Sequence, residues 1–237
     1  MKLLAIETAF EPCSVALWCD GALRERLETS PRGHAEHLLP FVEALLAEAS
    51  LALGALDGIA FSRGPGSFTS LRIGIGAVQG LAFGADLPVW PVSSLRTVAQ
   101  GVIRATEPDR DMARDDRSTA EPLPICVAMD ARMGEVYTGG FAVRAGLAEP
   151  LDTERVCDPA AALPPDPAGW VGAGSGYARC AALVGAPFER VFADAWPRAS
   201  DLARLAAAEW DAGSALPADR AQPVYLRDRV AEKPGGM

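Results

Sequence analysis

The stretch SRGPGSFTSLRIGIGAVQGLAFGAD, residues 62–86, constrains the fold more than any other part of the chain. It opens like a phosphate loop and runs on as a helix that carries Gly74, Gly76, Gly80 and Gly84. Each glycine weakens a helix by roughly 1 kcal/mol relative to alanine. Four of them point to a ligand or another backbone that comes unusually close. At about 100° per residue, Ile73, Ala77, Gly80 and Gly84 fall within about 60° of one another, with Gly76 beside them. Arg72, Gln79 and Asp86 form a narrow polar stripe, and nearly everything else is apolar. That pattern predicts a helix buried on more than one side. A face of small residues admits a second helix at close range. Packing of both sides within the helix's own domain is the alternative.

The turn before this helix lacks the lysine of G-x-x-x-x-G-K-[ST]. Main-chain N–H groups at a helix start can still hold an anion. The favoured reading is a strand-to-helix turn that needs glycine and an N-cap, with Ser67 or Thr69 as the capping candidate.

Around it the chain alternates strand and helix. KLLAIET, CSVALWCD and ALRERLET read as three strands, and DGIAFSRG and LPVWPV as two more. HAEHLLPFVEALLAEAS has helical spacing, with regular helix expected from Pro40 because proline belongs in a first turn. A helix is expected from Ser94 to Ala105. TEPDRDMARDDRSTAEP is charged and aperiodic and reads as a flexible insertion. After it, LPICVAMDARMGEVYTGGFAV repeats the opening pattern: an apolar strand ending in an acid (Glu7, Asp130), a turn, a second strand. A strand at GWVGAG and helices over Gly176–Val184 and Ser200–Trp210 follow. The pattern predicts a duplicated α/β fold. Its parts are an N-terminal subdomain (1–105), a polar linker (106–122), a C-terminal subdomain (123–226) whose last helix packs back on the first, and a tail (227–237).

The 237 residues carry a net charge of −9, which disfavours autonomous binding to a phosphate backbone. The apolar runs are too short for a membrane span. Glu7 interrupts the apolar N-terminus, so MKLLAIETAF reads as a strand and not as a signal peptide. Five cysteines without a CxxC pair fit a reduced, cytoplasmic setting.

Candidate chemistry is sparse. His34 and His37 stand at H-x-x-H with no third ligand evident, so no metal site is assigned. GAGSGY, ending at Tyr177, is a second glycine turn between strand and helix. Glu7, with Thr8, and Asp130 sit at matched strand ends, where kinase-like folds place metal-binding acids; they read as a vestigial nucleotide site. No nucleophile–base set stands out, and no catalytic residue is assigned.

SRGPGSFTSLRIGIGAVQGLAFG resembles the signature of the TsaB (YeaZ) family, with Ser70 where that signature has glycine. IETA, HAEHLLP, VSSLRTVA, MDARMGEVY and PVYLRD follow the same family pattern, in order. The resemblance implies the actin-like ATPase fold (acetate kinase, sugar kinase, heat-shock and actin superfamily; ribonuclease H-like) with two subdomains. It implies a non-catalytic scaffold subunit, related to the transferase TsaD. TsaD puts threonylcarbamoyl on adenosine beside the anticodon of tRNAs that read A-starting codons. The implied partners are TsaD, the ATPase TsaE, and a second copy of the chain, with tRNA reached through the complex. The implied interface is Ile73, Gly76, Ala77, Gly80 and Gly84. Arg63, Gly64, Pro65, Gly66, Ser67, Phe68, Thr69 and Arg72 form the signature turn. No cofactor is expected on the isolated chain, and ATP or ADP at the complex interface stays open. An independent actin-like ATPase or phosphotransferase is the alternative reading. A peptidase finds no H-E-x-x-H here.

Overall fold

The structure, a computed structural model, describes residues 1–29, 33–106, 123–210 and 215–227. The polar segment from 107 to 122 and the last residues, 228–237, lie outside them. The first part runs β1 (Lys2–Glu7), β2 (Cys13–Cys19), β3 (Ala22–Glu28), α1 (His34–Glu48), β4 (Gly58–Gly64), α2 (Phe68–Ala85), β5 (Val89–Ser93) and α3 (Ser94–Thr106). The second part runs β6 (Pro124–Asp130), β7 (Val136–Arg144), β8 (Leu147–Pro150), β9 (Arg155–Cys157), β10 (Val171–Ala173), α4 (Gly176–Arg179), β11 (Arg190–Phe192) and α5 (Ala199–Glu209).

Two sheets share one topology. The first has order β3-β2-β1-β4-β5, and the second, read the same way, β8-β7-β6-β10-β11, with β9 paired to β7. In each, the first three strands are antiparallel and the next two add in parallel. β1 reads as a continuous apolar run because helices cover both faces of its sheet. The edge strand β3 carries Arg24, Glu25, Arg26 and Glu28, charges that discourage pairing with another edge.

The layers cross the sequence. α1 and α2 pack on one face of the first sheet through Leu38, Val42, Leu45, Ile75 and Val78. α5, from the second part, covers the other face through Leu202, Ala203, Leu205 and Ala206. α3, from the first part, packs on the second sheet through Leu95, Val98, Val102 and Ile103. Arg104 of α3 pairs with the fully buried Asp201 of α5 at 3.2 Å, where the two helices meet. The segment 215–227 returns to the first sheet, where Leu216 bridges Val89.

Two helices differ from expectation. α1 begins at His34, with Pro40 inside it. Burial of His34 and Leu38 outweighs the hydrogen bond that proline removes. The helix expected over Gly176–Val184 is a single turn that ends at Cys180, whose backbone is extended.

Candidate functional site

The signature turn is held from two sides. Ser67 N–H donates to the Ala9 carbonyl at 2.7 Å, and Val224 N–H to the Arg63 carbonyl at 2.7 Å. Gly64 has φ +98°, a conformation that favours glycine. A Cβ on Gly66 would run into the Ala9 carbonyl group. Ser67 is the N-cap, accepting from Ser70 N–H at 3.5 Å, while Thr69, the other capping candidate, is exposed. The turn therefore spends its Ser67 N–H and Gly66 on the β1–β2 turn, and Gly64 on Val224 and Leu71. Ser70 has no positive φ, so nothing in its backbone calls for glycine. Its carbonyl accepts from the Thr8 hydroxyl at 3.0 Å.

α2 divides into three faces. Gly74, Ile75, Val78 and Ala82 are buried toward the first sheet, and Leu71 enters the core that α3 shares with the second. The polar stripe receives the C-terminal segment: Gln79 Nε2 donates to the Ala221 carbonyl at 2.9 Å, and Arg72 Nε to Tyr225 Oη at 3.1 Å. Arg72 also lies 3.8 Å over the Phe68 ring. The third face is open. Among the described residues, a Cβ on Gly76, Gly80 or Gly84 would have no neighbour within 4 Å, and Phe83 beside them is 84% exposed. Within the chain the helix is thus covered by the sheet and by the C-terminal segment, and among the described residues nothing covers its third face. Of the five interface candidates, Ile73 and Ala77 partly pack on their own core, whereas the three glycines face outward. The open face is rotated by roughly 30° from the sequence wheel, toward Phe83. Periodicity does not single out Phe83; its position seven residues after Gly76 is the only signal.

The expected nucleotide acids do not meet. Asp130 lines a cleft between the two sheets, and Glu7 and Thr8 lie buried beneath it. Glu7 has no exposure at all. Its Oε1 accepts the Ala9 N–H at 2.7 Å, and its Oε2 has no partner among the described residues. Burial pushes its carboxyl up to about 7, against the Ala9 N–H and the Ser62 hydroxyl, which favour the charged form. Asp130 instead accepts the Arg132 N–H at 2.8 Å. A strand-end acid that is sealed in cannot face a metal or a phosphate.

The remaining motifs have structural reasons. His34 Nε2 sits 2.9 Å from the Phe10 carbonyl, and His37 stacks on Phe41 with centroids 5.6 Å apart. The two rings thus go to different neighbours. In GAGSGY, a Cβ on Gly174 or Gly176 would fall 2.5 or 2.8 Å from the Ala128 carbonyl oxygen. Those glycines let the turn pack on β6. Among the described residues, no group of three or more His, Cys, Asp or Glu side chains could hold a metal. No helix among them is long and apolar enough to cross a membrane.

Two sheets of one topology, joined by exchanged helices across a cleft, define the duplicated α/β class of actin-like ATPase-fold proteins. Residues 28–177 match the family model described as "TsaD: tRNA N6-adenosine threonylcarbamoyltransferase". The chain is 38% identical to the "tRNA threonylcarbamoyladenosine biosynthesis protein TsaB" of Escherichia coli (strain K12), over 98% of this chain and 97% of that one. It is 36% identical to the protein of the same name from Haemophilus influenzae, over 98% and 96%. The solved structure described as "YeaZ from Pseudomonas aeruginosa" superposes with a TM-score of 0.83 at 40% identity, over 95% of this chain and 99% of that one. The chain belongs to the TsaB (YeaZ) family, as its signature helix and flanking motifs implied.

Proposed function

We propose that the chain is a non-catalytic subunit of the machinery that makes threonylcarbamoyladenosine in tRNA. It pairs with the transferase TsaD along the open face of α2, works with TsaE, and reaches tRNA through the complex. A tRNA-modifying role sets its workplace in the cytoplasm. The name shared by its full-length relatives supports the pathway. The single observation that carries the subunit role is the row Gly76, Gly80 and Gly84, open to solvent beside an exposed Phe83. Three helical glycines with no neighbour among the described residues cost the isolated chain stability. A facing helix can use the room they leave. The net charge of −9 fits a subunit that leaves RNA contact to its partners.

Reconstitution tests this reading. TsaD, TsaE, tRNA and threonylcarbamoyl-AMP are combined with and without the chain. Transfer is expected only when TsaD and the chain are both present. Transfer by the chain without TsaD would overturn the non-catalytic role, and full TsaD activity in its absence would overturn the subunit role.

A further inference from the structure

We infer that the cleft between the two sheets binds a small, uncharged, planar aromatic molecule and not a nucleotide. The cleft has a volume of about 410 Å³, within the range of small-molecule sites. Its walls are the β1–β2 turn, the signature turn, the β6–β7 turn and the C-terminal segment.

Its rings and its charges point the same way. Phe10 and Trp196 line it as a tilted pair 6.4 Å apart, and Phe68 and Tyr225 as another 5.5 Å apart. Arg72 lies 3.8 Å over the Phe68 ring and Arg179 5.3 Å over the Trp196 ring, so a flat ligand ring meets the aromatic surface these leave. Three arginines also line the cleft, and each is already engaged. Arg179 grips Glu11 with both Nη atoms, at 2.7 and 2.8 Å, and lies 3.6 Å from Asp130. Arg132 sits 3.3 Å from Glu11 and 3.8 Å from Asp130. Arg227 reaches Glu135 at 2.5 Å and the Ala131 carbonyl at 3.1 Å. Glu11 and Asp130 in the cleft wall, and Glu135 just outside it, thus hold all three cations, so none stands free for a phosphate.

Part of the usual phosphate cradle is engaged as well: Ser67 N–H is taken by the Ala9 carbonyl and Ser70 N–H by Ser67 Oγ. An anionic ligand would have to break the Glu11–Arg179 fork, a charge-assisted pair held in two places. A neutral ring breaks nothing. The Ser67, Ser70 and Ser175 hydroxyls line the cleft and give such a ring uncharged hydrogen-bonding partners. Burial raises the Tyr137 phenol above its ordinary pKa, so this lining group is neutral too.

Adenosine and Mg-ATP share one ring system and differ in charge, so the pair isolates the property at issue. Each is titrated into the purified full chain, with heat and tryptophan emission as readouts. Adenosine is expected to bind saturably and Mg-ATP about tenfold more weakly. Ser70→Tyr, which fills the cleft from a partly exposed position, is expected to weaken adenosine binding about tenfold with an unchanged circular dichroism spectrum. Tyr225→Ala, which removes one ring of a pair at a half-exposed position, is the second variant, with a loss in the same direction. Mg-ATP binding as tight as adenosine, no saturable adenosine signal, or unchanged adenosine affinity in folded Ser70→Tyr and Tyr225→Ala would each overturn the inference.

Discussion

Thr8 fills the space that a side chain on Gly74 would need. A Cβ on Gly74 would overlap the Thr8 hydroxyl and lie 3.2 Å from the Thr8 Cβ, while that hydroxyl donates to the Ser70 carbonyl one turn earlier in α2. The end of β1 and the start of α2 thus touch through one glycine and one threonine. The contact seats the helix over Glu7 and the signature turn over Ala9.

Gly74→Ala sets two effects against each other. Alanine favours the helix by about 1 kcal/mol. Forcing an atom into this contact typically costs 1–3 kcal/mol. The clash wins, because the obstacle is the branched head of a side chain fully enclosed by strand and helix. A net loss of about 1 kcal/mol is expected from urea unfolding, and a more stable variant would refute the contact.

Gly76→Ala has the opposite sign, two residues along the same helix. Nothing lies within 4 Å of the added Cβ, so only the propensity remains. The isolated chain gains about 1 kcal/mol. Thermal melting of the pair of variants, measured side by side, reads the contrast directly.

Glu7 makes stability depend on pH. Its folded pKa is near 7, against an ordinary carboxyl value of 4.5. The folded chain therefore keeps a proton that the unfolded chain has released between these two values. Stability falls as pH rises through that window and is level above it. The span corresponds to roughly 3 kcal/mol. Glu7→Gln keeps an oxygen for the Ala9 N–H and carries no charge. At pH near 8 it is expected to exceed the parent chain in stability by that amount, and at pH near 4.5 to match it. Urea titrations across the range give the comparison, and equal pH slopes in the two proteins would show that Glu7 is not the group responsible.

The sequence carries the strands and long helices openly, because apolar runs of six or seven residues and helical spacing survive in one dimension. β8, β9 and β11 have three or four residues each, too few for a period to show. The duplication is legible in the two acid-ended strands, yet the exchange of α3 and α5 between sheets is not, since an apolar stripe does not say which sheet it covers. The glycine face is legible on a helical wheel. What the wheel cannot give is the direction of each glycine: Gly74 looks in at Thr8, and Gly76 looks out. Glu7 and Asp130 look equivalent as strand ends, and only the β1–β2 turn and the signature turn folded over Glu7 separate them. The pairing of the cleft's charges is hidden for the same reason, because Glu11 and Arg179 lie 168 residues apart.

Gly80→Leu asks whether the open face is an interface. The position is exposed and has no neighbour within 4 Å, so leucine costs the isolated chain no packing. Leucine is also the better helix former, and the lone variant should melt no lower than its parent. Against a closely seated partner helix the added side chain overpacks, which typically costs 1–3 kcal/mol. That is roughly a ten- to hundredfold loss of affinity for TsaD or for a second copy. Phe83→Ala is the complementary test, because a projecting aromatic ring is the type of residue that anchors an interface. It removes contact area where Gly80→Leu adds bulk, and both should weaken pairing. Sedimentation of each variant, alone and mixed with TsaD, separates the two partners. Unchanged affinity in both variants, with both folded, would move the interface off α2.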